Sequence, residues 1–101
     1  CRKAPAGVRS TTIVVPINQF CWTQGEDLIK RFDLPEAKSF ARQICSRCNC
    51  PVPHASRDGT RAIVPAGTLD GVPPGKPSVH GYWSSRVTWV DIDESDLPCT
   101  D

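Results

Sequence analysis

The placing of its cysteines constrains this chain more than any other feature. Six occur in 101 residues; Cys45, Cys48 and Cys50 fall within six positions, while Cys1, Cys21 and Cys99 are scattered. An even number in so short a chain invites a disulfide-stapled, secreted reading. The spacing argues otherwise. Cys45-Ser-Arg-Cys48 has the C-x2-C form, which sets two sulfurs on one side of a tight turn and supplies half of a tetrahedral zinc site. A redox-active pair and a structural disulfide are the other readings of that spacing. No separate second pair completes the ligand set. Pro51 and Pro53 favour extended chain after the motif rather than a helix start that would activate a thiol, which disfavours the redox reading.

The rest of the composition narrows the classes. At 101 residues the chain has room for one domain, and 39% hydrophobic residues are enough for a folded one. Twelve basic against eleven acidic residues leave a formal net charge of +1, so no basic field is available for a nucleic-acid partner. The longest uncharged stretch, Ser10 to Gly25, is broken by Pro16, Asn18, Gln19 and three threonines, which excludes a membrane-crossing helix. Reduced thiols and the lack of a visible signal segment point to the cytoplasm.

An all-β, little-helix chain is the expected fold class. Thr11 to Val15 is almost wholly β-branched and ends at Pro16, and Gln19 to Thr23 and Leu28 to Phe32 read as further strands. Gln24-Gly25-Glu26 is a turn. Ser39 to Ile44 leads into the C-x2-C turn and Cys50 to Ala55 leads out, which sets the cysteines at the tip of a β-hairpin. Arg57-Asp58-Gly59 turns the chain, and Thr60 to Pro65 is expected to pair back on Val52 to Ser56. Gly71 to Pro77 is a loop, Val79 to Trp83 and Val87 to Ile92 are the last strand candidates, and Asp93 to Asp96 is an acidic turn.

The series Cys-Arg-Lys-Ala at 1 to 4, Ile44-Cys-Ser-Arg-Cys-Asn-Cys-Pro-Val-Pro, Ala66-Gly-Thr-Leu-Asp, His80, Ser84-Ser-Arg, Trp89 and Leu97-Pro-Cys resembles the glutathione-dependent formaldehyde-activating enzyme family, which includes the centromere protein V-like proteins. The resemblance covers essentially the whole chain, 1–101, as one domain. It implies an Mss4-like fold of several coiled antiparallel β-sheets with a zinc knuckle, and two zinc sites. One zinc would take Cys45 and Cys48 together with a C-x-C pair. The other, catalytic, would be held by a C-x-C-x2-C run of which Cys1 looks like the final member. On that correspondence the N-terminal strands and the remaining metal ligands are expected to be missing from this stretch. Asn49-Cys50 departs from the family's usual Gly-Ser; an Asn can still take the left-handed conformation that such a turn requires, and Cys50 either joins the metal or packs as a small apolar residue.

What the resemblance implies chemically is a carbon-sulfur lyase of the S-(hydroxymethyl)glutathione synthase type, with a small thiol such as glutathione and an aldehyde as partners. Zinc with an open position lowers a thiol's pKa and so yields the nucleophile that adds to the aldehyde carbon. Arg2 and Lys3 beside Cys1 are the candidate partners of glutathione's carboxylates, against the plain reading of solvated surface charge. His80 is a candidate substrate-site proton carrier, against a histidine simply bonded within a sheet. His54 follows the knuckle closely, but is expected on a strand leading away from it. The alternative function is a non-catalytic, zinc-stabilised β-module that binds a protein partner. Trp22, Trp83, Trp89, the three phenylalanines and Tyr82 are expected to fill the core, with Trp83 the best candidate for an exposed stacking wall. Gly67 is expected at a bulge or close approach, and Cys21 and Cys99 as buried thiols.

Overall fold

The computed structural model describes residues 8–73, 75–91 and 97–100. They fall into two compact units, residues 12–70 and a second formed by the described residues of 1–11 and 71–101. The described residues contain strands and 3-10 turns but no α-helix, so the fold is all-β as the sequence predicts. Among them, no helix is long and apolar enough to cross a membrane.

In the first unit, strand β1 is Thr12–Pro16, β2 is Ile29–Asp33, β3 is Ala41–Cys45, β4 is His54–Ala55 and β5 is Arg61–Pro65. Two antiparallel sheets result, one in the order β1-β5-β4 and one pairing β2 with β3. The β-branched run of β1 pairs along its whole length with β5, from Thr12 opposite Pro65 to Pro16 opposite Arg61. Pro16 ends an edge strand, where its missing donor costs the ladder little. Ala62 on the central strand faces Val15 on one side and Ala55 on the other and is 1% exposed. The expected pairing of the 60–65 strand back on 52–56 is present as His54 opposite Ile63 and Ala55 opposite Ala62. In the second sheet, Ile29 to Asp33 pairs with Cys45 to Ala41.

Several expectations fail for identifiable reasons. Gln19 to Thr23 forms no strand. Ile17 donates its backbone N–H to Thr60 O (3.0 Å), and a 3-10 turn over Ile17–Gln19 carries the chain off the sheet, so the segment has no ladder partner. Its Phe20 and Trp22 rings instead meet edge to face, centroids 5.3 Å apart. Aromatic side chains do not fill a core either: among the described residues the buried hydrophobic ones are Ala41, Ala62 and Val87, and Phe32, Tyr82 and Trp89 are exposed. Gly67 lies in the 3-10 turn Ala66–Thr68 with nothing within 4 Å of where a Cβ would stand, so it marks neither a bulge nor a close approach.

In the second unit the expected strands at 79–83 and 87–92 are absent among the described residues. Only His80 and Cys99 form an isolated parallel bridge. Tyr82 adopts a left-handed conformation (φ 53°) and starts a 3-10 turn over Trp83–Ser85, which interrupts the extended chain. Asp93 to Asp96 lie outside the described residues.

Candidate thiol hairpin site

The turn after β3 carries the cysteine motif, at a hairpin tip as expected. Chain reversal over Ser46 to Cys48 returns the backbone so that Pro51 bridges Ile44. Cys45 donates its N–H to Cys50 O (3.0 Å) while its carbonyl accepts from Asn49 N–H (2.7 Å). Two residues, Asn49 and Cys50, therefore oppose one, the signature of a bulge whose first member is left-handed. Asn49 has φ 64°, the conformation that a non-Gly residue reaches most readily as Asn or Asp.

Below the tip the hairpin has a chemical difficulty, since neither Pro51 nor Pro53 has an N–H to give a ladder. Val52 N–H bonds Gln43 O (3.0 Å), and the Gln43 side chain answers by donating Nε2–H to Pro53 O (2.8 Å). On its other edge β3 is backed by β2, with Ser46 N–H bonded to Leu28 O (2.7 Å). Cys45 is consequently half-buried between its neighbours, whereas Cys48 and Cys50 are exposed. Cys45, Cys48, Cys50, Cys21 and Cys99 are all free thiols, and Cys21 and Cys99 are exposed rather than buried. Cys21 sits on the strandless segment that follows the first 3-10 turn, so nothing covers it.

The structure brings Cys45 and Cys48 together on one turn, and other candidates lie elsewhere. Cys1, Arg2 and Lys3 fall outside the described residues. His54 is on β4, paired with Ile63, and leads away from the tip as expected. Partial burial, reinforced by the Arg31 guanidinium and opposed by Asp33, lowers its pKa from the ordinary histidine value, favouring the neutral imidazole. Arg31 itself spans from β2 to Ala55 O on β4 (2.8 Å) while pairing with Asp33 (3.0 Å).

His80 belongs to the second unit, where its backbone bonds Pro98 O and Thr100 N–H, both at 2.8 Å. Its ring packs 5.2 Å from that of Trp83, and the Arg86 guanidinium carbon lies 4.2 Å from the same indole centroid. Trp83 is thus half-buried by its neighbours while the adjacent Tyr82 is exposed, the reverse of the expected arrangement.

Among the described residues no group of three or more His, Cys, Asp or Glu side chains is arranged to hold a metal ion. The hairpin tip by itself therefore carries fewer donors than the three or four that a zinc site needs. Sequence reasoning passed over Gln43 and Arg31, whose side chains bond main-chain oxygens of Pro53 and Ala55. A glutamine opposite a Pro-x-Pro segment was the one available signal, since that segment lacks donors.

Comparison with curated proteins gives no match, and comparison with solved structures gives none. Residues 1–85 match the protein family described as glutathione-dependent formaldehyde-activating enzyme, a span that includes the whole thiol hairpin and His80. With most of its length so matched, the chain belongs to the glutathione-dependent formaldehyde-activating enzyme family.

Proposed function

We propose that this protein is a zinc-dependent carbon-sulfur lyase of the S-(hydroxymethyl)glutathione synthase type, working in the cytoplasm on glutathione or a related small thiol and formaldehyde or a related aldehyde. The observation that carries this reading is the family match over residues 1–85. The hairpin geometry supports it, because a bulged turn sets Cys45 and Cys48 on one tip with Cys48 exposed. An Mss4-like arrangement with a zinc knuckle at this turn and Cys1 as a catalytic ligand is part of the same proposal. Zinc would supply the Lewis acidity that favours a thiolate over a thiol.

In the reaction, the thiol sulfur's electron pair forms the new bond to the aldehyde carbon. The C=O π pair moves to oxygen, which takes a proton, and the thiol's own proton is released. In this proposal Arg2 and Lys3 bind the carboxylates of the thiol substrate, and His80 carries a proton at the substrate site.

Zinc content and glutathione–formaldehyde exchange, followed by NMR, test the reading on the full protein. A Cys45→Ser/Cys48→Ser variant is expected to lose bound zinc and the catalysed part of the exchange, while Cys21→Ser keeps both. Unchanged zinc and rate in the double variant would overturn it. Zinc binding without any catalysed exchange in the parent protein would favour a zinc-stabilised module that binds a protein partner.

A further inference from the structure

Arg57 opens the turn between β4 and β5, and its guanidinium reaches back across the first unit to the loop between β2 and β3. Nη1 donates to Ala37 O (2.8 Å), and Nη2 donates to Phe40 O (2.6 Å) and to Leu34 O. The acceptors belong to a loop already folded on itself, with Leu34 N–H bonded to Phe40 O (3.3 Å) and Ala37 N–H to Leu34 O (3.2 Å). The platform carrying Arg57 is equally fixed. One oxygen of Asp58 accepts from Ser56 Oγ (2.6 Å), Thr60 N–H (3.1 Å) and Thr60 Oγ1 (2.8 Å), and Ser56 Oγ accepts from Arg61 N–H (3.1 Å). Carbonyls alone receive the guanidinium; no carboxylate pairs with it among the described residues. The contact is one of shape, a planar fork of donors wrapped by a loop, rather than an ion pair.

What the clasp encloses gives it meaning. Phe40 and Arg57 are seventeen residues apart, and the stretch between them carries Cys45, Cys48 and Cys50 and no other cysteine. From the clasp toward the tip, the bonds holding the two arms of that stretch together are Gln43 to Pro53, Val52 to Gln43, and Cys45 to Cys50. We propose that Arg57 is a positioning residue for the thiol hairpin: by closing the open end of the 40–57 loop it holds Cys45 and Cys48 in register. Closing a loop at its base removes the conformational freedom that would otherwise have to be lost when the two thiols take a ligand. The consequence for ligand capture rests on the reading of Cys45 and Cys48 as the working pair, whereas the positioning itself does not.

The test measures iodoacetamide alkylation of each thiol by mass spectrometry in the full protein, with exposed Cys21, outside the loop, as internal reference. Arg57→Ala is expected to raise the rate at half-buried Cys45 about tenfold, the net worth of about one charge-assisted bond once water replaces the three contacts of this exposed guanidinium, with the Cys21 rate unchanged. Arg57→Lys, which keeps the charge but not the fork, is expected to fall between the two. Cobalt(II) titration supplies the second readout: Arg57→Ala is expected to bind about tenfold more weakly. An unchanged Cys45 rate, or a rise at Cys21 in the same proportion, overturns the proposal, and if Arg57→Ala fails to fold, the same criteria apply to Arg57→Lys. Absence of cobalt–thiolate absorption in the parent protein counts against the zinc enzyme, while the alkylation result still decides the role of Arg57.

Discussion

Replacing Asn49 separates the backbone requirement of the thiol hairpin from its side-chain chemistry. Its φ of 64° lies where an ordinary L-residue is strained by contact between Cβ and the carbonyl oxygen. Asn49→Ala keeps that strain and loses the short polar side chain that makes it tolerable, a cost of about 1 kcal/mol. Asn49→Gly removes the strain but adds freedom to the open state, and the two effects offset to within about 0.5 kcal/mol. Since about 1.4 kcal/mol is a factor of ten, the alanine variant should open locally about five times as often, and the glycine variant within about a factor of two of the parent. Amide hydrogen exchange reads this directly at Cys45, whose N–H is bonded to Cys50 O, and at Asn49, whose N–H is bonded to Cys45 O. Equal exchange in the alanine and glycine variants would show that the left-handed conformation does not hold this turn, and the bulge assignment would be wrong.

Two predictions concern pH. The Asp58 carboxyl is held down to about 2 by hydrogen bonds, first from the Ser56 hydroxyl and then from the backbone and hydroxyl of Thr60. With its folded value below its unfolded one, it stabilises the fold fully above about pH 4–5 and loses that contribution as pH falls toward 2. Asp58→Asn should therefore lower stability at pH 7 and flatten its decline over that acid range in urea titrations; an unaltered acid profile would refute the assignment. His54 is the opposite charge type with the same sign of shift: its folded pKa lies below 6.5, so the unfolded chain binds the proton more tightly and stability falls as pH drops through 6.5. His54→Gln should reduce that slope as pH falls through 6.5, and an identical slope in the variant would exclude His54 as its source.

How much the sequence disclosed depended on whether the cause was local. The β-branched run of β1, the Asp58-Gly59 turn and the cysteine hairpin are legible because each is written in consecutive residues, and Gly59 at φ 76° meets the requirement of its turn. The segment 19–23 looked equally strand-like, but a strand needs a neighbour, and pairing of Ile17 with Thr60 is decided by residues more than forty positions away. Burial was misread for a related reason. Alanines at 41 and 62 sit where sheet residues face each other closely, while the large rings lie on turns and edges that present them to water. At the site, the Cys45–Cys48 turn was visible from spacing alone; Arg57 was not, because its partners are main-chain oxygens, which every residue possesses and no motif marks.

The small interior also fixes how this fold answers to temperature. Within residues 12–70 the only buried hydrophobic residues are Ala41 and Ala62, so unfolding brings comparatively little new apolar surface into contact with water. Apolar hydration is the source of the heat-capacity increment of unfolding, and with a small increment the enthalpy and entropy of unfolding vary little as the protein is warmed or cooled. Its stability curve is therefore broad and shallow, with a weak tendency to unfold in the cold. Between cool and warm surroundings the thiol hairpin keeps much the same footing, which a protein resting on a large greasy core would not provide.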